Sequence, residues 1–312
     1  MPIIATFLNG YDDTGTPDDV IGTVGGYDIV QFQLDSSANS TDLRTFDMRI
    51  TNFYSIEEIE LDSYYIPMTI ILSAAQIGSG LSANLLIDGS GAPGYGDVIK
   101  IYMDTETSLD LSGWTFQGWT DTIYVFGDSS AETITAPSGD FNISTSDGND
   151  TFRYVDGRDG STGQVINGGN ADDTLLLVLN ATATDNIFDL RGPSFYSIEK
   201  ITFSSSGTQD ATLRLYGNQF QNGNLSATLQ VTGVNGASNT ETIEIYMDTQ
   251  TIVDLSGWSF MNWGGQNEKV IIHGDSSLEL ITGSSQDDEI LGGGGADTLY
   301  GMGGDDIIDG GG

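Results

Sequence analysis

The 312-residue sequence contains no cysteine, so disulfide bonds are excluded as a source of stability. Basic residues are also scarce: nine Lys and Arg stand against 45 Asp and Glu, which gives a formal net charge of -36 at pH 7. A chain with this charge repels nucleic acids and anionic lipid headgroups, so we expect neither as a partner. No apolar run approaches the roughly 18 residues that a membrane-spanning helix requires, and we therefore expect no membrane span.

Catalytic motifs are missing as well. His273 is the only histidine, and neither a zinc-binding H-E-x-x-H sequence nor a G-x-S-x-G nucleophile motif occurs. We therefore expect His273 to be a bystander and the protein not to be an enzyme. The N-terminal residues 1–15 lack the basic start and long apolar run of an ordinary signal peptide, so we expect any export to use another signal.

Aspartate and glycine are abundant, with 34 Asp, 11 Glu and 42 Gly. Short carboxylates in glycine-rich turns supply the oxygen ligands that a hard cation such as calcium prefers. The acidic composition therefore indicates cation binding, and calcium is the expected cofactor.

The C-terminus has a strict nine-residue repeat, whose units begin at Gly274, Gly283, Gly292, Gly301 and Gly310. In the four complete units the sixth residue is acidic: Glu279, Asp288, Asp297 and Asp306. The eighth residue is a branched aliphatic: Ile281, Ile290, Leu299 and Ile308. This pattern predicts a six-residue turn followed by a three-residue strand, with the eighth side chain in a narrow core and the turn backbone facing a cation.

Less regular copies of the same unit occur upstream. They begin at Gly127, Ala136, Thr145 and Gly168, and near the N-terminus at Thr14 and Thr23. Their sixth-place acids are Glu132, Asp150, Asp173, Asp19 and Asp28. At the N-terminus, Ile21 and Val30 occupy the eighth place and are expected to point inward.

A longer duplication encloses the short repeats. FDMRITNFYSIEEI from Phe46 matches FDLRGPSFYSIEKI from Phe188, and IYMDTETSLDLSGW from Ile101 matches IYMDTQTIVDLSGW from Ile245. We therefore predict an N-terminal cap with a degenerate nonapeptide over residues 1–22 and a first module over 23–153. A linker over 154–164, a second module over 165–273 and a nonapeptide segment over 274–312 follow.

The pattern of short β-rich stretches predicts the fold class. Such stretches are found at 56–61, 68–72, 98–103 and 123–126, separated by turns rich in Gly, Asn, Asp and Ser. Amphipathic helical patterns are absent, and spacers of about ten residues suit stacked coils better than hairpins. We therefore predict an all-β chain that forms a parallel β-solenoid.

The nonapeptides of residues 292–309 resemble the calcium-binding β-roll repeats of repeats-in-toxin (RTX) proteins, which bacteria export by type I secretion. The resemblance implies a right-handed parallel roll that winds only with calcium, which aspartate carboxylates and turn carbonyls bind. It implies metal ligation at Asp288, Asp297 and Asp306, with Asp150 and Asp173 as less complete matches. Glu279 and Glu132 depart from the aspartate consensus. The turn glycines of this pattern are Gly283, Gly292, Gly293, Gly295, Gly301 and Gly304.

The nine-residue period also predicts which turns face each other. Two nonapeptides make one coil, so turns 18 residues apart should lie on the same side, about 4.8 Å apart. Glu279 should then pair with Asp297, and Asp288 with Asp306. Asp297, which also faces the turn at Gly310, is expected to touch two ions, whereas Asp287 should point away from the ion.

Each module carries two tryptophans five residues apart, Trp114 with Trp119 and Trp258 with Trp263. These side chains suit core packing better than sugar binding, because a thin solenoid needs their large apolar area. We expect a calcium-dependent structural or adhesive protein that is secreted or lies at the cell surface, with possible self-association. A carbohydrate-binding or accessory module of an extracellular enzyme, with a surface polysaccharide as partner, is the alternative.

Overall fold

A computed structural model describes residues 3–8, 19–23, 25–33, 45–62, 67–89, 96–155, 160, 162–183, 185–205, 207, 209–220, 224–234, 239–263 and 268–312. The chain divides into two compact units, residues 1–147 and 148–312. The proposed N-terminal cap lies partly outside the described residues, as do parts of the predicted linker.

Fourteen strands are described in the first unit. They are β1 (Ile3–Leu8), β2 (Asp19–Ile21), β3 (Ile29–Gln33), β4 (Thr45–Asp47), β5 (Asn52–Tyr54), β6 (Ile56–Asp62), β7 (Thr69–Ser73), β8 (Leu81–Gly89), β9 (Val98–Tyr102), β10 (Ser108–Asp110), β11 (Thr115–Gln117), β12 (Thr122–Phe126), β13 (Thr133–Thr135) and β14 (Phe141–Ser144). Two sheets dominate, ordered β1-β3-β6-β8-β11 and β4-β7-β9-β12-β14.

The second unit contains sixteen described strands. They are β15 (Thr151–Val155), β16 (Val165–Asn167), β17 (Thr174–Val178), β18 (Asp185–Asp189), β19 (Ser194–Tyr196), β20 (Ile198–Ser204), β21 (Asp210–Tyr216), β22 (Leu225–Thr232), β23 (Glu241–Tyr246), β24 (Ile252–Asp254), β25 (Ser259–Met261), β26 (Lys269–His273), β27 (Leu280–Thr282), β28 (Asp288–Leu291), β29 (Thr298–Tyr300) and β30 (Ile307–Asp309). Its sheets run β15-β17-β20-β22-β25, β18-β21-β23-β26-β28-β30 and β24-β27-β29, with β16 beside β19.

Strands pair in parallel throughout both units, as in β7 with β9 and β23 with β26. Because side chains alternate along a strand, every second residue faces the core: Ile99 and Ile101 of β9 are fully buried, while Lys100 between them is not. Stacked coils of short parallel strands form a β-solenoid, which confirms the predicted fold class. The described residues contain two 3-10 helices, Ala74–Gln76 and Gly217–Phe220, and no helix long and apolar enough to cross a membrane.

The sequence duplication is repeated in the hydrogen bonds of each unit. Gln76 is buried and its Nε2 donates to the carbonyl oxygens of Met48 and Thr51 at 2.7 and 2.6 Å. Gln219 is likewise buried, and its Nε2 bonds the carbonyl oxygens of Leu190 and Pro193 at 2.8 and 2.7 Å. A buried amide that bonds two backbone carbonyls fixes the adjoining turn, since an unpaired buried carbonyl is costly. The two modules therefore share local construction as well as sequence.

The C-terminal coils have the predicted 18-residue period. Leu280 of β27 pairs with Thr298 of β29, and Glu289 of β28 pairs with Ile307 of β30. Successive nonapeptides therefore contribute strands alternately to two sheets. This confirms that two nonapeptides make one coil.

Core positions agree with the repeat except at the two ends of the pattern. Ile281 and Ile290 are fully buried, but Ile308 in β30 is 48% exposed. At the N-terminal end, β2 buries Val20 and leaves Ile21 64% exposed. The expected inward position of Ile21 is therefore wrong, since a shift of one residue exchanges the two faces of a strand.

Candidate metal sites

The sixth-place acids of the nonapeptides lie immediately before or at the start of their strands, where the turn meets the core. The side chains of Glu279 and Asp288 are buried, with 0% and 2% exposure. Burial of an acidic group in this place requires compensation by hydrogen bonds or by a cation. Glu279 and Asp288 are therefore the residues of these turns that need hydrogen bonds or a bound cation.

Hydrogen bonds join the acids of successive coils. The backbone N–H of Glu279 donates to Oδ1 of Asp297 at 3.0 Å, and that of Asp288 donates to Oδ1 of Asp306 at 3.1 Å. We call this arrangement, in which an amide before one strand donates to the acid of the next coil, the carboxylate ladder. It confirms the predicted facing of Glu279 with Asp297 and of Asp288 with Asp306.

Each acid also bonds its own turn. Asp288 accepts the N–H of Ser284 at 2.6 Å and its hydroxyl at 3.1 Å, while Oε1 of Glu279 accepts the N–H of Asp275 at 2.9 Å. Asp287, by contrast, is exposed, and its Oδ1 accepts the N–H of Asp305 in the next coil at 2.8 Å. The fifth-place side chain thus helps to hold two coils together on their outer side.

The glycine consensus of the turns follows from close approaches. A Cβ added to Gly301 would lie 2.1 Å from Oδ2 of Asp306, so the first place must be glycine for the acid to fold over it. The second and fourth places have positive φ, +77° at Gly293 and +146° at Gly295. The third place is open, because a Cβ on Gly303 would meet nothing nearer than 3.8 Å. Glycine therefore relieves close approaches and positive φ in the stacked turns, although Met302 occupies the second place of its repeat with φ +77°.

Burial leaves some of the carboxylate oxygens without a partner. Oε2 of Glu279 and Oδ2 of Asp297 are buried and have no hydrogen-bond partner among the described residues. Burial raises the pKa of both Glu279 and Asp288 to about 7, against the hydrogen bonds that favour their charged forms. A cation bound to these carboxylates would therefore stabilise their charged forms and the folded turns.

The donor set fits a hard cation. Glycine-rich turns present carbonyl oxygens, and the ladder supplies one carboxylate from each coil, which are the ligand types that calcium takes. No cluster of three or more Asp, Glu or His side chains that could hold a metal occurs among the described residues. Backbone oxygens would therefore have to complete the coordination of an ion at these turns, as the resemblance implies.

The upstream acids lie in related places. The N–H of Asp150 donates to Oδ1 of Asp173 at 2.8 Å, and the N–H of Asp173 donates to Oε2 of Glu199 at 2.9 Å. Burial raises the pKa of Asp173 to about 6, and its Oδ2 has no hydrogen-bond partner in the described part of the chain. Glu132 is also buried and accepts the N–H of Asp128 at 2.8 Å. The ladder thus extends beyond the C-terminal repeats.

The two N-terminal candidates differ from each other. Asp28 is buried, accepts the N–H and the hydroxyl of Thr23, and donates its own N–H to Glu57 at 2.9 Å. Asp19 is exposed, and its Oδ1 accepts a hydrogen bond from Asn52 at 3.0 Å. The outward register of β2 that exposes Ile21 also turns Asp19 outward, so its side chain does not take the inward place of the other sixth-place acids. Residues 14–18 of its repeat lie outside the described residues.

Several buried acids were missed by the sequence interpretation. Asp97, Glu241 and Glu268 are buried in the same place as the ladder residues, immediately before or at the start of their strands. A signal was present for all three, since each acid stands two places before an inward aliphatic residue. The signal was hidden because their turns lack the glycine spacing of the nonapeptides.

The aromatic candidates divide into core and surface residues. Trp114 and Trp258 are buried, with 1% and 4% exposure, in agreement with the core-packing interpretation. Trp119 is half-buried and lines a cavity of about 400 Å³ with Phe116, Asp121 and Asp140. His273 stacks on Tyr246 with ring centroids 4.5 Å apart.

Comparison with known proteins identifies the C-terminal repeats. The family model of the RTX calcium-binding nonapeptide repeat matches residues 282–312 in four copies. No curated protein and no solved structure matches the chain. The matched segment contains β28 to β30 and the acids Asp288, Asp297 and Asp306, of which the ladder joins Asp288 to Asp306. Residues 282–312 are therefore RTX calcium-binding nonapeptide repeats at the C-terminal end of a parallel β-solenoid.

Proposed function

We propose that this protein is a structural component secreted to the cell surface or its surroundings, and that calcium outside the cell completes its solenoid. The observation that carries the proposal is the carboxylate ladder of residues 279–306, whose buried oxygens have no counter-charge among the described residues. Repeats of this family are typical of proteins that bacteria secrete. The proposal assigns the chain a structural role and no catalytic activity.

The proposed location outside the cell follows from the calcium affinity expected of such sites. Extracellular calcium modules have dissociation constants of about 0.1–1 mM, so sites of this class are empty at cytosolic calcium and filled outside the cell. The C-terminal repeats would then remain unfolded before export and fold afterwards. Circular dichroism at submicromolar and at millimolar calcium tests this: equal spectra would contradict the proposal, and a gain of β signal at millimolar calcium supports it.

The ladder predicts unequal roles for two neighbouring acids. We expect Asp297→Ala to raise the midpoint of calcium-induced folding by at least about tenfold, because Oδ2 of Asp297 is buried and unpartnered. Asp287→Ala should shift the midpoint much less, since it removes the same charge but only an exposed contact with Asp305. A calcium titration followed by circular dichroism measures both midpoints. Equal shifts for the two variants would show that the ladder is not where calcium acts.

We expect the protein to associate with further copies of itself through its last coil. Tyr300, Met302 and Ile307 are 53%, 62% and 63% exposed there, beside strands that pair on one side only among the described residues. Calcium favours association by neutralising part of the negative charge. Light scattering should therefore show larger particles at millimolar calcium than in chelator.

A matched pair of variants tests this surface. Ile307→Lys should abolish the calcium-dependent particles, because a lysine on an edge strand opposes further strand pairing. Leu280→Lys changes an exposed apolar residue of β27, which is paired with a strand on both sides, and should leave them unchanged. A strictly monomeric wild type at high protein and calcium concentrations would remove the assembly role.

Carbohydrate binding is the second candidate function, and the cavity beside Trp119 supports it. Phe116 and Trp119 offer aromatic faces, while Asp121 and Asp140 can accept hydrogen bonds from sugar hydroxyls. A glycan array with the wild type and with Trp119→Ala discriminates the two functions. Binding that depends on Trp119 would favour the accessory-module alternative, whereas an array without binding would leave the structural role.

A further inference from the structure

Two buried glutamates upstream of the nonapeptide repeats lie on adjacent coils of the second unit. Thr242 of β23 pairs with Lys269 of β26, so Glu241 and Glu268, one residue earlier in each strand's path, lie side by side at the coil spacing of about 4.8 Å. Glu241 is 0% exposed and Glu268 is 6% exposed. Their turns do not have the glycine pattern of the repeats, and the family match does not reach them.

Several oxygens around these glutamates have no hydrogen-bond donor among the described residues. The Nδ2 of Asn239 donates to Oε1 of Glu241, which turns the Oδ1 of Asn239 away. That Oδ1, Oε2 of Glu241 and Oε2 of Glu268 are all buried without a hydrogen-bond partner among the described residues. Asn239 itself is 5% exposed. Three buried oxygens without donors are a costly arrangement unless a cation or a proton-donating group lies between them.

The nearest basic side chain does not neutralise the pair. Lys269 follows Glu268 in sequence, but its Nζ bonds Oε2 of Glu289 at 2.7 Å. Burial, together with repulsion from Glu268 and Asp210, raises the pKa of Glu241 to about 7 despite hydrogen bonds that favour its charged form. The charge at this place is therefore uncompensated by the described side chains.

We infer that Glu241, Glu268 and the Oδ1 of Asn239 form a calcium site of the second module, separate from the nonapeptide turns. Two carboxylates and an amide carbonyl are ligand types that calcium takes, and neighbouring backbone oxygens or water complete its shell. The ion links two successive coils of the module, so it stabilises their stacking. Magnesium is the weaker candidate, because it requires a stricter geometry than two coils at fixed spacing provide.

Trp263 provides a spectroscopic probe of this site. A methyl group placed on Gly233 would lie 3.4 Å from both Oε2 of Glu241 and a ring carbon of Trp263, so the indole is close to the glutamate. Terbium, which replaces calcium in oxygen sites, emits when a nearby excited tryptophan transfers energy to it. Excitation at the red edge of tryptophan absorption avoids Tyr300, the single tyrosine of residues 274–312.

The test uses the full chain with calcium and terbium alone as probes. Glu241→Gln/Glu268→Gln should bind one calcium ion fewer than the wild type in equilibrium dialysis, while Glu244→Gln should bind the wild-type number. Glu244 lies on the same strand but bonds Arg214 at 2.8 Å, so it controls for the loss of charge. Trp263→Phe leaves the ligands in place, and it should remove most of the sensitised terbium emission without changing the calcium count.

The outcomes separate this site from the repeats. Unchanged calcium counts in the double variant, with circular dichroism showing a folded protein, would mean that a shared proton or a water holds the glutamates together. If the double variant fails to fold, the Trp263→Phe variant provides the test. Sensitised terbium emission that persists in this variant would contradict the proposed site. Either result leaves the assignment of residues 282–312 as calcium-binding repeats unaffected, because the family match of that segment does not depend on Glu241 or Glu268.

Discussion

Removing calcium should unfold at least residues 274–312. This segment has only two fully buried aliphatic side chains among its described residues, Ile281 and Ile290, and it buries the acids Glu279 and Asp288. Each independent calcium site contributes about 2.7 kcal/mol when free calcium is 100 times its dissociation constant. Several sites of this strength exceed what two apolar side chains provide, since full burial of each contributes about 1.5–3 kcal/mol.

Circular dichroism with excess chelator measures this loss. We expect a decrease in β signal that calcium restores, while coils with larger cores, such as those around Ile243 and Ile272, remain folded longer. Magnesium at the same concentration is the control for ionic strength and charge screening. An unchanged spectrum in chelator, together with no calcium in elemental analysis of the purified protein, would contradict the prediction.

Gly295→Ala should destabilise the same segment strongly, whereas Gly294→Ala should not. Gly295 has φ +146°, a conformation that residues with a side chain rarely adopt, and a Cβ there would lie 2.1 Å from the carbonyl oxygen of Ser277 in the preceding coil. At Gly294, one residue earlier, a Cβ would lie 3.2 Å from its nearest neighbour, the carbonyl oxygen of Gly312. The substitution is the same in both variants, and only the backbone and the space differ.

The expected size of the effect follows from strain and lost stacking. A strained backbone residue costs about 1–3 kcal/mol, and displacement of the coil also weakens the turn that carries Asp297. Gly295→Ala should therefore need several-fold more calcium for folding, while Gly294→Ala should stay within about 1 kcal/mol of the wild type. Calcium titrations of the two variants compare them directly. Equal midpoints would show that the coils do not approach as closely as the structure has them.

The fold was predictable because the repeats impose it locally. Strands expected at 56–61 and 123–126 are found at Ile56–Asp62 and Thr122–Phe126, since alternating aliphatics and bounding turns define both. The 18-residue facing of Asp288 with Asp306 followed from the nine-residue period alone. Periodicity therefore determined both the strands and the ladder in the C-terminal repeats.

Where the turns are irregular, the sequence did not predict which side chains face inward or lie side by side. Ile21 was expected inside, but Val20 is the buried residue of β2, because three residues of a degenerate repeat do not fix which face is inward. Glu241 and Glu268 were missed since their partnership depends on the pairing of β23 with β26, which are 27 residues apart in register rather than 18. Such pairing depends on variable turn length, and sequence spacing does not reveal it.

Amide hydrogen exchange at Glu279 and Asp288 tests most directly whether calcium holds the carboxylate ladder together. The N–H groups of these residues donate to Asp297 and Asp306, so their exchange reports the ladder and not the general β content. The account predicts strong protection of both amides at millimolar calcium and loss of that protection in chelator, with Ile243 and Ile272 still protected. Equal protection of the Glu279 and Asp288 amides with and without calcium would contradict it.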